Sequence, residues 1–301
     1  MAVIEVEHLV QDYGSGRGVF DISFSIEKGE VFGFLGPNGA GKSTTIRHIM
    51  GFSKAQKGST KVFGMESFSC YDKILESVGY LPGEIALPDG LSGWEFIDMM
   101  SKLRKTKNDQ RLNMLLARFT LDPSVETKRM SLGDKRKLAI VTAFMHDPQV
   151  LILDEPTSGL DPVMQNEFIE FIKEEKERGK TILLSSHIFS EVEATCDRIA
   201  IIKDGKIVSH FMTKEFKHNQ NKTYFIAFES EKEKENFIKK CPFEVERENE
   251  GVLVKVHDSQ INMLTNYISN FKITKFKQIK FTLEQHFMGF YKNNKDFGGQ
   301  L

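Results

Sequence analysis

The sequence predicts an α/β domain with a helical insertion, followed by a small α+β unit, and three observations carry that prediction. Short, almost continuously apolar runs (VFGFLG 31–36, VLILDE 150–155, TILLSS 181–186 and RIAIIKDG 198–205) alternate with helix-period segments, as buried parallel strands do when helices connect them. Between the first and second runs, from about Leu91 to Met145, the pattern is largely helical. Beyond the polar stretch KEFKHNQNK (214–222) the texture changes to the order β-α-β-β-α-β, that of a split βαβ, ferredoxin-like unit.

Taken in order, VFGFL leads straight into GPNGAGKST (36–44) and then a helical TIRHIM, so a glycine-rich loop stands between a strand and a helix. The inserted helical subdomain, about 84–146, consists of GWEFIDMMSKLRK (93–105), DQRLNMLLARFTL (109–121) and the run after Ser131. Ser131 suits an N-cap, and Asp134, three residues on, suits a capping box. The α/β domain is placed at 1–213 and the accessory unit at 222–301. In that unit YFIAF, FEVERE, VLVKVH and ITKFKQIKF read as strands, and ESEKEKENFIKK and SQINMLTNYISN as helices. A closing stretch, TLEQHFMGFYK, puts Leu283, Phe287 and Phe290 on one helical stripe, suited to packing on its own domain.

Composition narrows the function classes. Lys+Arg 41 against Asp+Glu 42 leaves a net charge of −1 over 301 residues, so nothing global recruits a polyanion or a membrane surface, and no nucleic acid is expected. Cys70, Cys196 and Cys241 lie far apart with no C-x-x-C spacing, which fits buried free thiols in a reducing compartment. The N-terminal stretch shows no basic start followed by an apolar run, and no segment approaches about 18 consecutive apolar residues. A cytoplasmic place is expected, with any membrane role exerted through a partner.

The loop 36–44 matches G-x-x-x-x-G-K-[ST] in the strand-loop-helix context that motif requires. Glycines let its backbone curl so that N–H groups face phosphate oxygens, and the following helix aims its positive end at them. Lys42 would reach the β/γ-phosphates and Ser43 would hold Mg²⁺. At the tip of VLILDE, Asp154 is placed to support that ion and Glu155 to polarise an attacking water. His187, after LLSS, either reaches the γ-phosphate or satisfies a backbone carbonyl.

GPNGAGKST, SLGDK ahead of a helix, LILDEPTSGLDP (151–162) and His187 together closely resemble the ATP-binding subunit of ABC transporters, over about residues 2–211. The resemblance implies a P-loop NTPase fold of the ABC ATPase type that binds and hydrolyses ATP with Mg²⁺. Gly36, Pro37, Asn38, Gly39, Ala40, Gly41, Lys42, Ser43 and Thr44 would form the Walker A loop. Asp154 would end Walker B, Glu155 would be the catalytic carboxylate, Asp161 would lie in the D-loop, His187 would be the switch histidine, and Tyr13 would stack on adenine. Ser131 and Gly133 fall where the signature LSGGQ belongs, with Leu132 and Asp134 in place of its first glycine and its glutamine. In the family that element binds the γ-phosphate of ATP held by another subunit, which implies a homodimer or heterodimer of ATPase subunits. Gly83, followed by Glu84, stands where the Q-loop glutamine is expected; Glu84 can accept a hydrogen bond but has no amide to donate.

The partner implied is a separate transmembrane permease subunit, docked near residues 80–104, with the ATPase peripheral on the inner face of the cell membrane. A single ATPase domain with a C-terminal extension and TSGLDP resembles bacterial drug or peptide exporters of the bacitracin, lantibiotic or phenol-soluble modulin type. An importer subunit and a soluble ABC-type machine acting on nucleic acid or the ribosome stand as alternatives. A tandem ATPase domain or basic arm would favour the second, and the sequence has neither.

Overall fold

The structure, a computed structural model, describes residues 2–106, 108–214, 221–279, 283, 284 and 287. The chain divides into two compact units, one running to Thr213 and the other beginning at Lys214.

The first unit opens with β1 (Ala2–Asp12), β2 (Gly18–Glu27), β3 (Val31–Leu35), α1 (Lys42–Ile49), β4 (Lys57–Val62), β5 (Met65–Glu66), α2 (Tyr71–Ser77) and β6 (Val78–Leu81). The helical insertion follows as α3 (Gly93–Arg104), α4 (Asp109–Arg118) and α5 (Leu132–Phe144), and the α/β alternation resumes with β7 (Val150–Asp154), α6 (Pro162–Glu177), β8 (Thr181–Ser186), α7 (Phe189–Thr195), β9 (Arg198–Lys203) and β10 (Lys206–Met212). The main sheet has the order β10-β9-β3-β8-β7-β6. Strands β9, β3, β8, β7 and β6 run parallel, and β10 is antiparallel to β9. Every residue of β3, β7 and β8 is buried, which is why those runs carry no polar alternation in the sequence.

A second, antiparallel sheet, β2-β1-β4-β5, is an element that the sequence reading did not contain. Register shifts between Val6 and Leu9 and between Leu9 and Val10 break the two-residue alternation of β1 that would have marked it. Ile4, Val6, Ile22 and Ile26 of this sheet share one core with Phe32, Phe34, Ile152 and Leu183 of the main sheet and with Ile46 and Ile49 of α1. That core fixes α1, and with it the loop before it, against both sheets. In the insertion, Ser92 and Glu95 form a full capping box that starts α3, the Glu95 carboxylate accepting from Ser92 N at 2.7 Å.

The second unit contains β11 (Asn221–Phe228), α8 (Glu231–Lys240), β12 (Glu244–Glu248), β13 (Gly251–His257), α9 (Ile261–Ile268) and β14 (Ile273–Ile279). Its sheet has the order β12-β13-β11-β14 with antiparallel neighbours, the ferredoxin-like arrangement. One face carries Tyr224, Ile226, Val252 and Val254, packed with Phe237 of α8 and Leu264 and Ile268 of α9. Leu283 and Phe287 are buried and Glu284 is exposed, whereas Phe290 lies outside the described residues.

All three cysteines are free, but only Cys196 is buried; Cys70 and Cys241 are half-buried, which corrects the expectation of three buried thiols. Among the described residues no helix is long and apolar enough to cross a membrane.

Candidate functional site

The site follows from strand order. Strands β3, β8 and β7 are neighbours, with Leu35 in register with Ser186 and Ser185 in register with Asp154. Three loops that are far apart in sequence therefore leave the same end of the sheet side by side: 36–44 after β3, His187 after β8, and the segment from Glu155 after β7. The carboxyl ends of parallel strands are where open α/β sheets bind ligands.

Loop 36–44 needs glycine where the backbone turns into α1. Gly41 has φ +111°, and a Cβ there would sit 2.7 Å from Val19 Cγ1. Gly41 is also the N-cap of α1, and it offers no side chain to that helix start, so the first N–H groups remain for an anion. Lys42 is only 5% exposed. Its Nζ donates to the carbonyls of Gly36 at 2.7 Å and Pro37 at 3.1 Å and pairs with Glu155 Oε1 at 3.0 Å. A buried ammonium is tolerable because it is bonded on all these sides.

Glu155 adopts φ +48°, the left-handed region, and its N–H bonds Ser185 O at 3.1 Å. That turn swings its carboxylate back across the sheet end, so that Oε2 meets His187 Nδ1 at 2.6 Å while Oε1 meets Lys42. His187 is half exposed, and its ring is bonded to the Glu155 carboxylate. Asp154 is buried, and Ser185 Oγ donates to its Oδ1.

Mg²⁺ can be tested against the oxygens present. Asp154 supplies a buried carboxylate whose Oδ2 lies beside Gly83, and Ser43 supplies an exposed hydroxyl at the helix start. Among the described residues no group of three or more His, Cys, Asp or Glu could form a self-sufficient cage. Two hard oxygens without a cage fit an ion that takes its remaining ligands from phosphate and water.

A family model described as "ABC transporter" matches residues 19–158. The uncharacterised ABC transporter ATP-binding protein YhcH of Bacillus subtilis strain 168 is 32% identical over 95% of this chain and 95% of its own length. The chain belongs to the ABC transporter ATP-binding proteins. The linearmycin resistance ATP-binding protein LnrL of the same organism is 39% identical over 69% of this chain and 68% of its own. Among solved structures, an ATP-binding subunit of an ABC transporter superimposes with a TM-score of 0.67 at 30% identity, covering 71% of this chain and 92% of that one. The chain is thus an ATPase with the ABC fold.

The remaining residues singled out in this ABC ATPase make contacts of their own, apart from the Lys42–Glu155–His187 cluster. Ser131 caps α5, accepting from Asp134 N at 3.1 Å, but its hydroxyl also donates to Asp134 Oδ2 at 2.7 Å. The predicted box thus takes a different form: the acid holds the serine hydroxyl and not the N-cap N–H. Lys137 Nζ lies 3.6 Å from Asp134 Oδ1. Gly133 and Leu132 rest on the Gly159 turn, where a Cβ on Gly133 would sit 3.3 Å from Gly159 O and a Cβ on Gly159 3.0 Å from Leu132 Cγ. Asp161 caps α6, its Oδ1 accepting from Val163 N and Met164 N, both at 3.0 Å. Tyr13 follows β1 and is 58% exposed. Glu84 is exposed, and a Cβ on Gly83 would stand 3.1 Å from Asp154 Oδ2, so a longer side chain there would project at the carboxylate.

Three further residues had gone unremarked. Ser185 joins Asp154 to the Glu155 backbone, and its only sequence signal is a polar pair closing an apolar strand just before His187. Arg136 is buried on α5, and its guanidinium donates to Pro82 O, Gly83 O and Ser158 O at 2.9, 2.6 and 2.9 Å, tying the α5 start to the loops after β6 and β7. Burial draws its pKa down, against the pull of Asp154 and Glu155. Glu191 of α7 is buried, with Ser186 Oγ donating to it at 2.6 Å. Burial, opposed by that bond and reinforced by the charge of Glu155, pushes its pKa up to about 7.

Proposed function

We propose that this ATPase drives export of a drug or amphipathic peptide through a separate permease, with ATP sandwiched between two ATPase subunits. The reading is carried by Glu155, which stands between Lys42 and His187 at the mouth of the glycine-rich loop. Loop 36–44 and the start of α1 take the phosphates. Lys42 exchanges its contact with Glu155 for the γ-phosphate, which leaves the carboxylate to accept a proton from water. His187 orients that carboxylate and contributes to γ-phosphate binding, and Tyr13 stacks on the base. Mg²⁺, held through Ser43 and Asp154, would offset phosphate charge.

Ser131 and Gly133, at the start of α5, take the γ-phosphate of ATP held by another subunit. ATP then favours the closed pair because both subunits contact its γ-phosphate, and hydrolysis removes that preference. The permease docks beside α3, where a cavity of about 220 Å³ is lined by Trp94, Ile97, Ser101, Leu112, Met145 and His146 and where Leu103 is exposed. The direction of transport is supported by the linearmycin resistance relative.

Co-expression with a candidate ABC permease subunit from the same genome tests the proposal. Cells carrying both should lose a membrane-active peptide or antibiotic from the interior and tolerate severalfold more of it, and Glu155→Gln should abolish the gain. Uptake of the same compound, or co-migration of the chain with ribosomes, would refute it.

A further inference from the structure

The face of the second unit's sheet that points away from α8 and α9 is laid out as a three-by-four grid. Strand pairing sets the middle row as Glu246, Leu253, Phe225 and Lys277, reading from β12 to β14. On one side of that row Glu248 pairs with Gly251, and Ala227 with Lys275. The side chains confirm which face this is: a Cβ on Gly251 would sit 2.9 Å from Phe225 Cζ, and Lys275 Nζ lies 5.6 Å from the centroid of the Phe225 ring. On the other side the row is Glu244, Lys255, Thr223 and Ile279, and Lys255 Nζ pairs with Glu244 at 2.8 Å and Glu246 at 2.6 Å. The β12 rim is therefore acidic and partly offset by Lys255, the β14 rim carries Lys275 and Lys277, and Leu253 and Phe225 lie between them. Glu246, Glu248, Lys275 and Lys277 are exposed, and Phe225 and Leu253 are half-buried.

We infer that this face binds the same face of a second copy of the chain. Rotation by 180° about an axis parallel to the strands, between β13 and β11, reverses strand order and keeps each row in place. Glu246 then meets Lys277 of the other copy, Glu248 meets Lys275, and Leu253 meets Phe225, each contact occurring twice. An axis across the strands would instead set acid on acid and base on base, so the charge pattern selects one of the two symmetric pairings. Stacked sheets separated by about 10 Å accommodate such side chains. A polyanion is a poor occupant, because Glu244, Glu246 and Glu248 balance Lys255, Lys275 and Lys277 and leave the face without net positive charge.

The grid covers roughly 400 Å² per copy, from ordinary strand spacing and rise, which is below the size of a stable free-standing interface. The contact is accordingly weak, with a dissociation constant on the order of 10–100 µM. It needs no nucleotide, so it is separable from ATP-driven pairing of the ATPase units, and its test does not depend on the proposed transport reading.

Sedimentation velocity of the full chain in EDTA without nucleotide provides the test. Wild type should show a concentration-dependent dimer that weakens severalfold between low and high salt. The variants K275E/K277E and E246K/E248K should each weaken it at least tenfold, because both rims then carry one sign, and an equimolar mixture of the two should restore it. Circular dichroism and ATP turnover, read alongside, show that the variants are folded. A wild type that stays monomeric to about 300 µM, charge variants that associate like wild type, or a mixture that fails to recover would each overturn the inference. So would binding of a labelled single-stranded oligonucleotide that K275E/K277E abolishes.

Discussion

Replacing Asp134 by Asn should strengthen ATP-driven pairing of the ATPase subunits. Asp134 carries a negative charge one turn into α5, and its carboxylate holds the Ser131 hydroxyl at 2.7 Å. The proposed role of this helix start is to receive a phosphate from another subunit, so the charge opposes the ligand while Lys137, 3.6 Å away, offsets part of it. One unit charge about 6 Å from a phosphate charge in a largely aqueous setting is worth about 1 kcal/mol, or roughly fivefold in a dissociation constant. Asn retains the backbone N–H that donates to Ser131 Oγ and a carbonyl that can accept from it, so the substitution isolates charge. Loss of an acid from the first turn of α5 should cost about 0.5 kcal/mol of stability. The assay is dimer formation against ATP concentration in a Glu155→Gln background, followed by sedimentation or size-exclusion chromatography. Pairing that is unchanged or weaker in Asp134→Asn would refute the placement of Ser131 and Gly133 at a phosphate.

Two further outcomes follow from the same geometry. Gly41→Ala forces a Cβ to 2.7 Å from Val19 Cγ1 at φ +111°, whereas Gly39→Ala, at φ +81°, meets nothing within 4 Å. Both lose affinity for a fluorescent ATP analogue, and Gly41→Ala should lose about tenfold more, from strain of roughly 1–3 kcal/mol. Glu191 gives a pH signature. Its folded pKa of about 7 lies above the ordinary glutamate value of 4.5, so the folded state holds a proton that the unfolded state gives up between those values. Stability from this group is complete below about pH 4.5, falls as pH rises toward 7, and is then flat, a loss on the order of 3 kcal/mol. Glu191→Gln should flatten the melting temperature between pH 5 and 8; an unchanged slope would show that another group causes it.

What was legible in the sequence was what is local. Loop 36–44 is contiguous, and its glycines, Lys42 and Ser43 carry their roles in their spacing; β3, β7 and β8 announce themselves because both faces are buried. The βαββαβ order of the second unit was readable for the same reason, since each strand and helix keeps its own period. The meeting of Lys42, Glu155 and His187 is set by the adjacency of β3, β8 and β7, which no single segment encodes. Arg136 and Ser185 act by bonding loops more than 20 residues away, so their types alone gave no signal. The antiparallel sheet was hidden by the register shifts in β1. At Ser131 the helix start was evident, but whether Asp134 turned toward the backbone or toward the serine hydroxyl depended on a side-chain rotation that spacing does not specify.

The central claim is that Glu155 is the group that makes water attack ATP. Purified Glu155→Gln, assayed for both ATP retention and phosphate release, tests it most directly. The account predicts that the variant binds ATP as wild type does, accumulates as an ATP-bound dimer, and releases phosphate about 10²–10⁴ times more slowly. Turnover at the wild-type rate with ATP still bound would contradict it.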